Sequence, residues 1–151
     1  MEMLKAAREH LDELAPLFSA YRRFYEQEVD ADAEFDYLSS RMSGEDCTVF
    51  LARESGQAVG FVLLYPTFDS VMLGPVWVLH DLFVAPGSRK TGVGRKLMQT
   101  AHDFCKKQGA MRVDLATAVS NTVAQPLYES LGYERDDEFY YYSLDLQTGD
   151  L

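Results

Sequence analysis

The chain has 151 residues, 47% hydrophobic and 25% charged, which suits one globular domain with a full core. Its formal net charge of −10 argues against general affinity for nucleic acid, whose phosphates it would repel. The amphipathic opening Met1-Glu2-Met3-Leu4-Lys5 is unlike a signal peptide, and apolar runs such as Phe61–Tyr65 are far too short to cross a bilayer, so no membrane role is expected and the expected location is cytoplasmic.

Residues 2–7 read as a short strand. Leu11, Leu14, Leu17, Phe18 and Tyr21 recur at helical spacing and predict a helix over roughly 10–25, followed by a shorter one over Ala33–Met42. Thr48–Glu54 and Gln57–Tyr65 flank Ser55-Gly56 as an antiparallel hairpin, and Pro66–Pro75 reads as a loop. Val76–Val84 is nearly all apolar, the mark of a strand covered on both faces. From Gly92, the residues Val93, Leu97, Ala101 and Phe104 form the apolar stripe of a helix whose other side carries Arg95, Gln99, Asp103 and Lys106, with Gly109 as its stop. Met111–Leu115 alternates as a strand, Asn121–Leu131 reads as a helix ending at Gly132, and Phe139–Leu146 as a last aromatic strand, with a frayed tail over 146–151. Tyr140, Tyr141 and Tyr142 in that strand could finish the core or serve a homodimer contact. The central strand–helix–strand unit should be parallel and right-handed. Cys47 and Cys105 sit in apolar-patterned segments and read as small buried hydrophobes, and His102 with Cys105 falls short of a metal site.

Two patches carry chemistry. The first is Arg89-Lys90-Thr91-Gly92-Val93-Gly94, between the apolar strand and the amphipathic helix. A strand that turns through glycines into a helix leaves backbone N–H groups outward, and the helix dipole adds to them, so the turn suits an anion. Arg89, Lys90, Arg95 and Lys96 surround it, with no acidic residue between Leu82 and His102. The stretch lacks both the G-x-x-x-x-G-K-[ST] and the G-x-G-x-x-G patterns, so it reads as a diphosphate cradle of another kind. The second patch is Asn121, Ala124, Leu127-Tyr128-Glu129 and Leu131-Gly132-Tyr133, in which Asn121 and Tyr128 stand seven apart, two turns of a continuous helix. Pro126 lies inside that helix, so either it kinks there or it begins near Gln125 with the proline in its first turn.

Together the patches resemble the GNAT superfamily of N-acetyltransferases. Arg89-x-x-Gly92-x-Gly94 is similar to its acetyl-CoA signature, and Asn121 with Leu127-Tyr128 and Gly132-Tyr133 to its C-terminal signature. His80-Asp81-Leu82-Phe83-Val84 further resembles the branch with diamine, polyamine and histone-type acetyltransferases. The resemblance implies a single α/β (α+β) domain over 1–151: a mixed, mostly antiparallel central sheet with a central parallel β-α-β unit and helices on both faces. It implies acetyl-CoA as co-substrate, no metal, and direct transfer to a primary amine, expected to be a small cation or polyamine. Alternatives are a lysine or N-terminal amine of a protein, or a regulatory module that binds coenzyme A without catalysis.

The implied cofactor residues are Phe83 and Val84, whose backbone would pair with the pantetheine arm and supply an N–H to the thioester oxygen, then Arg89, Lys90, Thr91, Gly92, Val93, Gly94 and Arg95 around the diphosphate, and Asn121. Tyr128 would return a proton to the leaving thiolate, since a phenol near pKa 10 and a thiol near 8.5 are well matched. His80 is the expected base or water holder, because histidine titrates near neutrality, with Asp81 or water alone as the alternative base. Strand alternation puts Asp81 on the opposite face, where it would help to bind a cationic substrate. Glu26 and Glu28, in an acidic run with Asp30, Asp32, Glu34 and Asp36, are the expected acceptor-binding groups, beside the reading of that run as a solvated loop.

Overall fold

The computed structural model describes residues 1–147; residues 148–151, most of the expected tail, lie outside the described residues. Its elements are β1 (Glu2–Lys5), α1 (Leu11–Phe24), α2 (Ala31–Ser43), β2 (Thr48–Glu54), β3 (Gln57–Asp69), β4 (Gly74–Val84), α3 (Val93–Lys107), β5 (Val113–Asp114) and α4 (Gln125–Ser130). Packing divides the chain into two units, Met1–Ala116 and Thr117–Leu151.

In the first unit the sheet order is β1-β2-β3-β4-β5, antiparallel throughout except for the parallel β4–β5 pair, which α3 connects. The period-two pattern of β2 and β3 builds two cores. Val49, Leu51, Phe61, Leu63 and Phe83 pack with Leu11, Leu14, Leu17 and Phe18 of α1 and Leu38 of α2. Phe50, Ala52, Val62 and Leu64 are the alternate residues, and α3 buries Val93, Leu97, Met98, Ala101 and Cys105. Full burial of a leucine such as Leu97 contributes roughly 1.5–3 kcal/mol. At Gly60 a Cβ would lie 2.9 Å from the Phe83 carbonyl oxygen and 3.2 Å from Leu97 Cδ1, so only glycine lets α3 approach β3 this closely.

The Ser55-Gly56 turn is as expected: both residues are left-handed, with φ of 51° and 77°, which matches the twist of a tight hairpin. Elsewhere the structure departs from the pattern. The expected loop Pro66–Pro75 is mostly ladder, with Pro66 opposite Trp77 and Asp69 opposite Gly74. Proline is tolerated because β2 pairs with β3 only as far as Leu64, so the missing N–H deprives no second neighbour. Asp69 closes the turn by accepting the Val71 and Met72 N–H groups through Oδ1, and it accepts Arg112 Nη1 through Oδ2 at 2.8 Å.

The expected strand Met111–Leu115 shrinks to Val113–Asp114. The expected strand Phe139–Leu146 joins no sheet, and its large side chains are exposed. A strand needs a neighbour's backbone to satisfy its own, which alternation alone cannot supply.

Candidate functional site

Beyond β4 the chain makes one 3-10 turn, Pro86–Ser88, and enters α3 through two left-handed residues, Lys90 (φ 67°) and Gly92 (φ 86°). Two left-handed residues one apart, followed by the helical Val93, turn backbone amides outward at the entry to α3, an arrangement suited to an anion. Gly92 caps α3, whose first N–H groups have no acceptor four residues back, and the first turn carries no acidic side chain. Lys90 holds a conformation that disfavours a side chain by roughly 1–2 kcal/mol, strain of the kind found at ligand sites. The Thr91 hydroxyl braces the loop by donating to the Ser88 carbonyl at 2.6 Å. This donor set fits a diphosphate.

Arg89 is turned toward the strand side of the loop. Its Nε donates to the Val84 carbonyl at 2.9 Å, and its guanidinium lies 5.6 Å from the Phe83 ring centre and 5.9 Å from that of Phe24. It therefore ties β4 to α1. On its outer edge β4 pairs with β5 only at Trp77 and Val78, and among the described residues no strand pairs with that edge beyond Val78. Because the Ala85 N–H bonds back to Val59 on β3, alternation turns the Val84 N–H toward that outer side. The Phe83 side chain is buried in the core.

His80 and Asp81 are not on opposite faces. Leu63 pairs with Asp81 and Leu64 with Leu79, so His80 is the extra residue of a β-bulge, and a bulge breaks the alternation. His80 Nδ1 and Asp81 Oδ1 are 3.0 Å apart, the histidine side chain 60% exposed and the aspartate 8%. The hydrogen bond to Asp81 raises the His80 pKa above its ordinary value, against the opposing effect of burial.

Two tyrosines that the sequence reading did not assign to the site stand beside this pair, Tyr21 against Asp81 and Tyr65 against His80. Burial, and then the Asp81 carboxylate beside it, push the Tyr21 phenol well above its usual range. The Tyr65 ring meets the His80 ring edge-on at 5.4 Å, and its hydroxyl is 2.5 Å from that of Tyr37 on α2. In sequence each is simply an aromatic in an apolar pattern; no local signal separates it from core.

The acidic run between α1 and α2 has divided duties. Glu26 and Glu28 are exposed, and Glu28 lines an open hollow of about 670 Å³ together with Arg22, Gln27 and residues 29–32. Asp30 caps α2 by accepting the Ala33 N–H. Glu34 is buried, accepting the Ser19 hydroxyl and Arg22 Nη1. Burial raises its pKa, but those two donors outweigh that and hold it below the usual carboxylate range. It is a structural ion pair and not part of a solvent-facing acidic surface.

In the second unit Pro126 stands in the first turn of α4, where its missing N–H disrupts nothing. Asn121 therefore precedes the helix, and the two-turn relation to Tyr128 does not hold. Its side chain accepts the Ala124 N–H at 3.4 Å and donates to the Thr117 hydroxyl at 3.2 Å. Tyr128 lies on α4 with its ring 6.2 Å from that of Tyr133.

Burial pushes the thiols of Cys47 and Cys105 up to about 11. Neither should react with an aromatic disulfide reagent at neutral pH in the native protein, while both should titrate after unfolding. A fast-reacting thiol in the native state would contradict the packing around them. Among the described residues no group of three or more His, Cys, Asp and Glu could hold a metal ion, and no helix is long and apolar enough to cross a membrane.

The profile of the Acetyltransferase (GNAT) family matches residues 11–133. An uncharacterized N-acetyltransferase, YhfO, of Bacillus subtilis (strain 168) is 39% identical over 133 residues, spanning 88% of this chain and 89% of its own. The crystal structure of a probable acetyltransferase superposes with a TM-score of 0.92 at 37% identity, over 97% of this chain and 98% of that one. Aminoglycoside N-acetyltransferase AAC(6')-Iy, crystallised in complex with CoA, shares the fold with a TM-score of 0.81 at 20% identity, over 95% of this chain and 93% of that one.

Proposed function

This chain belongs to the acetyltransferase (GNAT) family and is an acetyl-CoA-dependent N-acetyltransferase, and from that premise we propose that its acceptor is the primary amine of a small cationic molecule such as a polyamine. The observation that carries the proposal is the His80–Asp81 pair, a buried carboxylate joined to a half-exposed imidazole. The Tyr65 ring beside it, the exposed Glu26 and Glu28, and the net charge of −10 all favour a cation.

Acetyl-CoA supplies an acetyl group activated as a thioester. In this reading Lys90–Arg95 hold its diphosphate through backbone amides, and the outer edge at Phe83–Val84 receives its pantetheine arm. Asn121 belongs to the same set through the family signature.

An alkyl ammonium, with a pKa near 10.4, must lose a proton before it attacks. With Nδ1 donating to Asp81, His80 keeps the Nε2 lone pair free to take that proton, directly or through water. Asp81 fixes the tautomer and adds negative charge beside the substrate cation. The Val84 N–H donates to the acetyl oxygen as negative charge develops there. Tyr128 gives its proton to the departing sulfur, so that the new N–C bond and the broken C–S bond leave an amide and a free thiol. That last role rests on the signature around Tyr128.

The test is thiol release from acetyl-CoA with a panel of polyamines, diamines, amino sugars, simple monoamines and lysine peptides, with products identified by mass. Amine-dependent release that is fastest with the small polycations is expected. Preferential acetylation of peptides, or of uncharged amines, would overturn the acceptor proposal.

A further inference from the structure

Arg89 opens the glycine turn, yet its side chain reaches back to β4. The Ala85 N–H bonds to Val59 on β3, so residue 84 directs both its N–H and its carbonyl to the outer side of the strand. Arg89 Nε meets that carbonyl at 2.9 Å, on the same side. Two separate hydrogen bonds therefore agree on how this peptide edge is turned. The consequence is chemical. The Val84 N–H is to receive the acetyl oxygen as that oxygen becomes negative, and the carbonyl of the same residue stands beside it with its negative pole outward. Left bare, that pole opposes the very charge the N–H is there to hold. A guanidinium, which keeps its proton in proteins, offsets it.

We propose that Arg89 is a positioning residue for the transition state and not a ligand of the diphosphate: by capping the Val84 carbonyl it fixes the edge that presents the Val84 N–H and removes the opposing charge beside it. The inference rests on the reading of that N–H as the donor to the acetyl oxygen, and it is independent of which amine is the acceptor. Three contacts hold the side chain to this task. Nε is committed to the carbonyl, and the guanidinium lies 5.6 Å from the Phe83 ring centre and 5.9 Å from that of Phe24. Phe83 is buried in the core and makes a fixed platform, while Phe24 is the last residue of α1. A planar, delocalised cation suits two aromatic neighbours and a directed hydrogen bond together, whereas the compact ammonium of lysine keeps the charge but lacks both the plane and the Nε–H. The diphosphate has donors of its own in the amides that follow, from Lys90 to Arg95.

Arg89→Lys tests it through three measurements on the full chain: acetyl-CoA affinity by calorimetry, kcat with the fastest amine of the acceptor panel, and the thioester carbonyl stretch of bound acetyl-CoA by difference infrared with a carbonyl-labelled coenzyme. The expected result is a kcat lower by about 10- to 100-fold, the worth of a hydrogen bond from a charged group, with affinity within about threefold of wild type. The carbonyl band should lie below that of the free coenzyme in the wild type and move back toward it in the variant. Phe24→Leu, which leaves Arg89 in place but removes one of its two rings, should show a smaller loss of the same kind. Affinity falling in step with kcat would make Arg89 a coenzyme ligand and overturn the inference, as would an unchanged kcat with the band still at its wild-type position. A wild-type band already at the free position would instead sink the Val84 donor itself, and the role of Arg89 with it. Should Arg89→Lys lose its native circular dichroism, Phe24→Leu decides, and a kcat equal to wild type would then overturn the inference.

Discussion

Gly92→Asp is expected to weaken acetyl-CoA binding about 100-fold relative to Gly92→Asn, with little difference between the two in folding stability. Gly92 has φ 86°, and a Cβ there would meet no atom within 4 Å. Asparagine and aspartate are the side chains that best tolerate this backbone region, so both variants should keep the cap of α3. They differ in a single negative charge, placed where the first amides of α3 converge. At an effective dielectric of about 20, two unit charges about 5 Å apart repel by roughly 3 kcal/mol, which corresponds to about two decades in affinity. Calorimetric titration of both variants, with thermal unfolding as the control, measures the difference. Equal affinities would mean that the diphosphate is held elsewhere.

His80→Gln is expected to lower kcat/KM by roughly 10²–10⁴ at neutral pH, the usual contribution of a positioned base, with acetyl-CoA affinity within about twofold of wild type. The pH dependence carries more information than the rate. His80 accepts a proton only when neutral, so activity should fall as pH drops through its pKa, which Asp81 raises. Asp81→Asn removes the interaction that favours the imidazolium. The His80 pKa then falls, and the acid limb of kcat/KM should move to lower pH even as the maximum declines with loss of the tautomer lock. In His80→Gln that limb should vanish. An unchanged limb in both variants would assign it to another group, and His80 would lose its role.

Much of the fold was legible because periodicity and breakers report local geometry directly. The stripe from Val93 to Phe104, the Ser55-Gly56 turn and the glycine-led entry to α3 all follow from rules a few residues long. The errors arose where the decisive neighbour is distant in sequence. A bulge adds one residue opposite a distant strand, so nothing in His80-Asp81 itself announces that alternation fails there. Pro66 looked like a strand end, yet the shortness of β2 is what admits it to β3. Glu34 shares an acidic run with Glu28 and Asp32, and only its partners Ser19 and Arg22 separate a buried ion pair from a solvated one. Tyr21 and Tyr65 acquire meaning only from the side chains placed beside them. Pro126 was the opposite case: a local rule had two outcomes, and the structure takes the one with the proline in the first turn.

The amides themselves report most directly on where the coenzyme lies. In a nitrogen–proton correlation spectrum titrated with coenzyme A, the largest shifts are expected at Thr91–Arg95 and Val84, saturating together, with the Gly92→Asp variant showing none at matched concentration. Saturable binding whose shifts leave Val84 and the α3 entry unmoved would contradict the placement of the coenzyme, and with it the delivery of the acetyl group to His80 and Asp81.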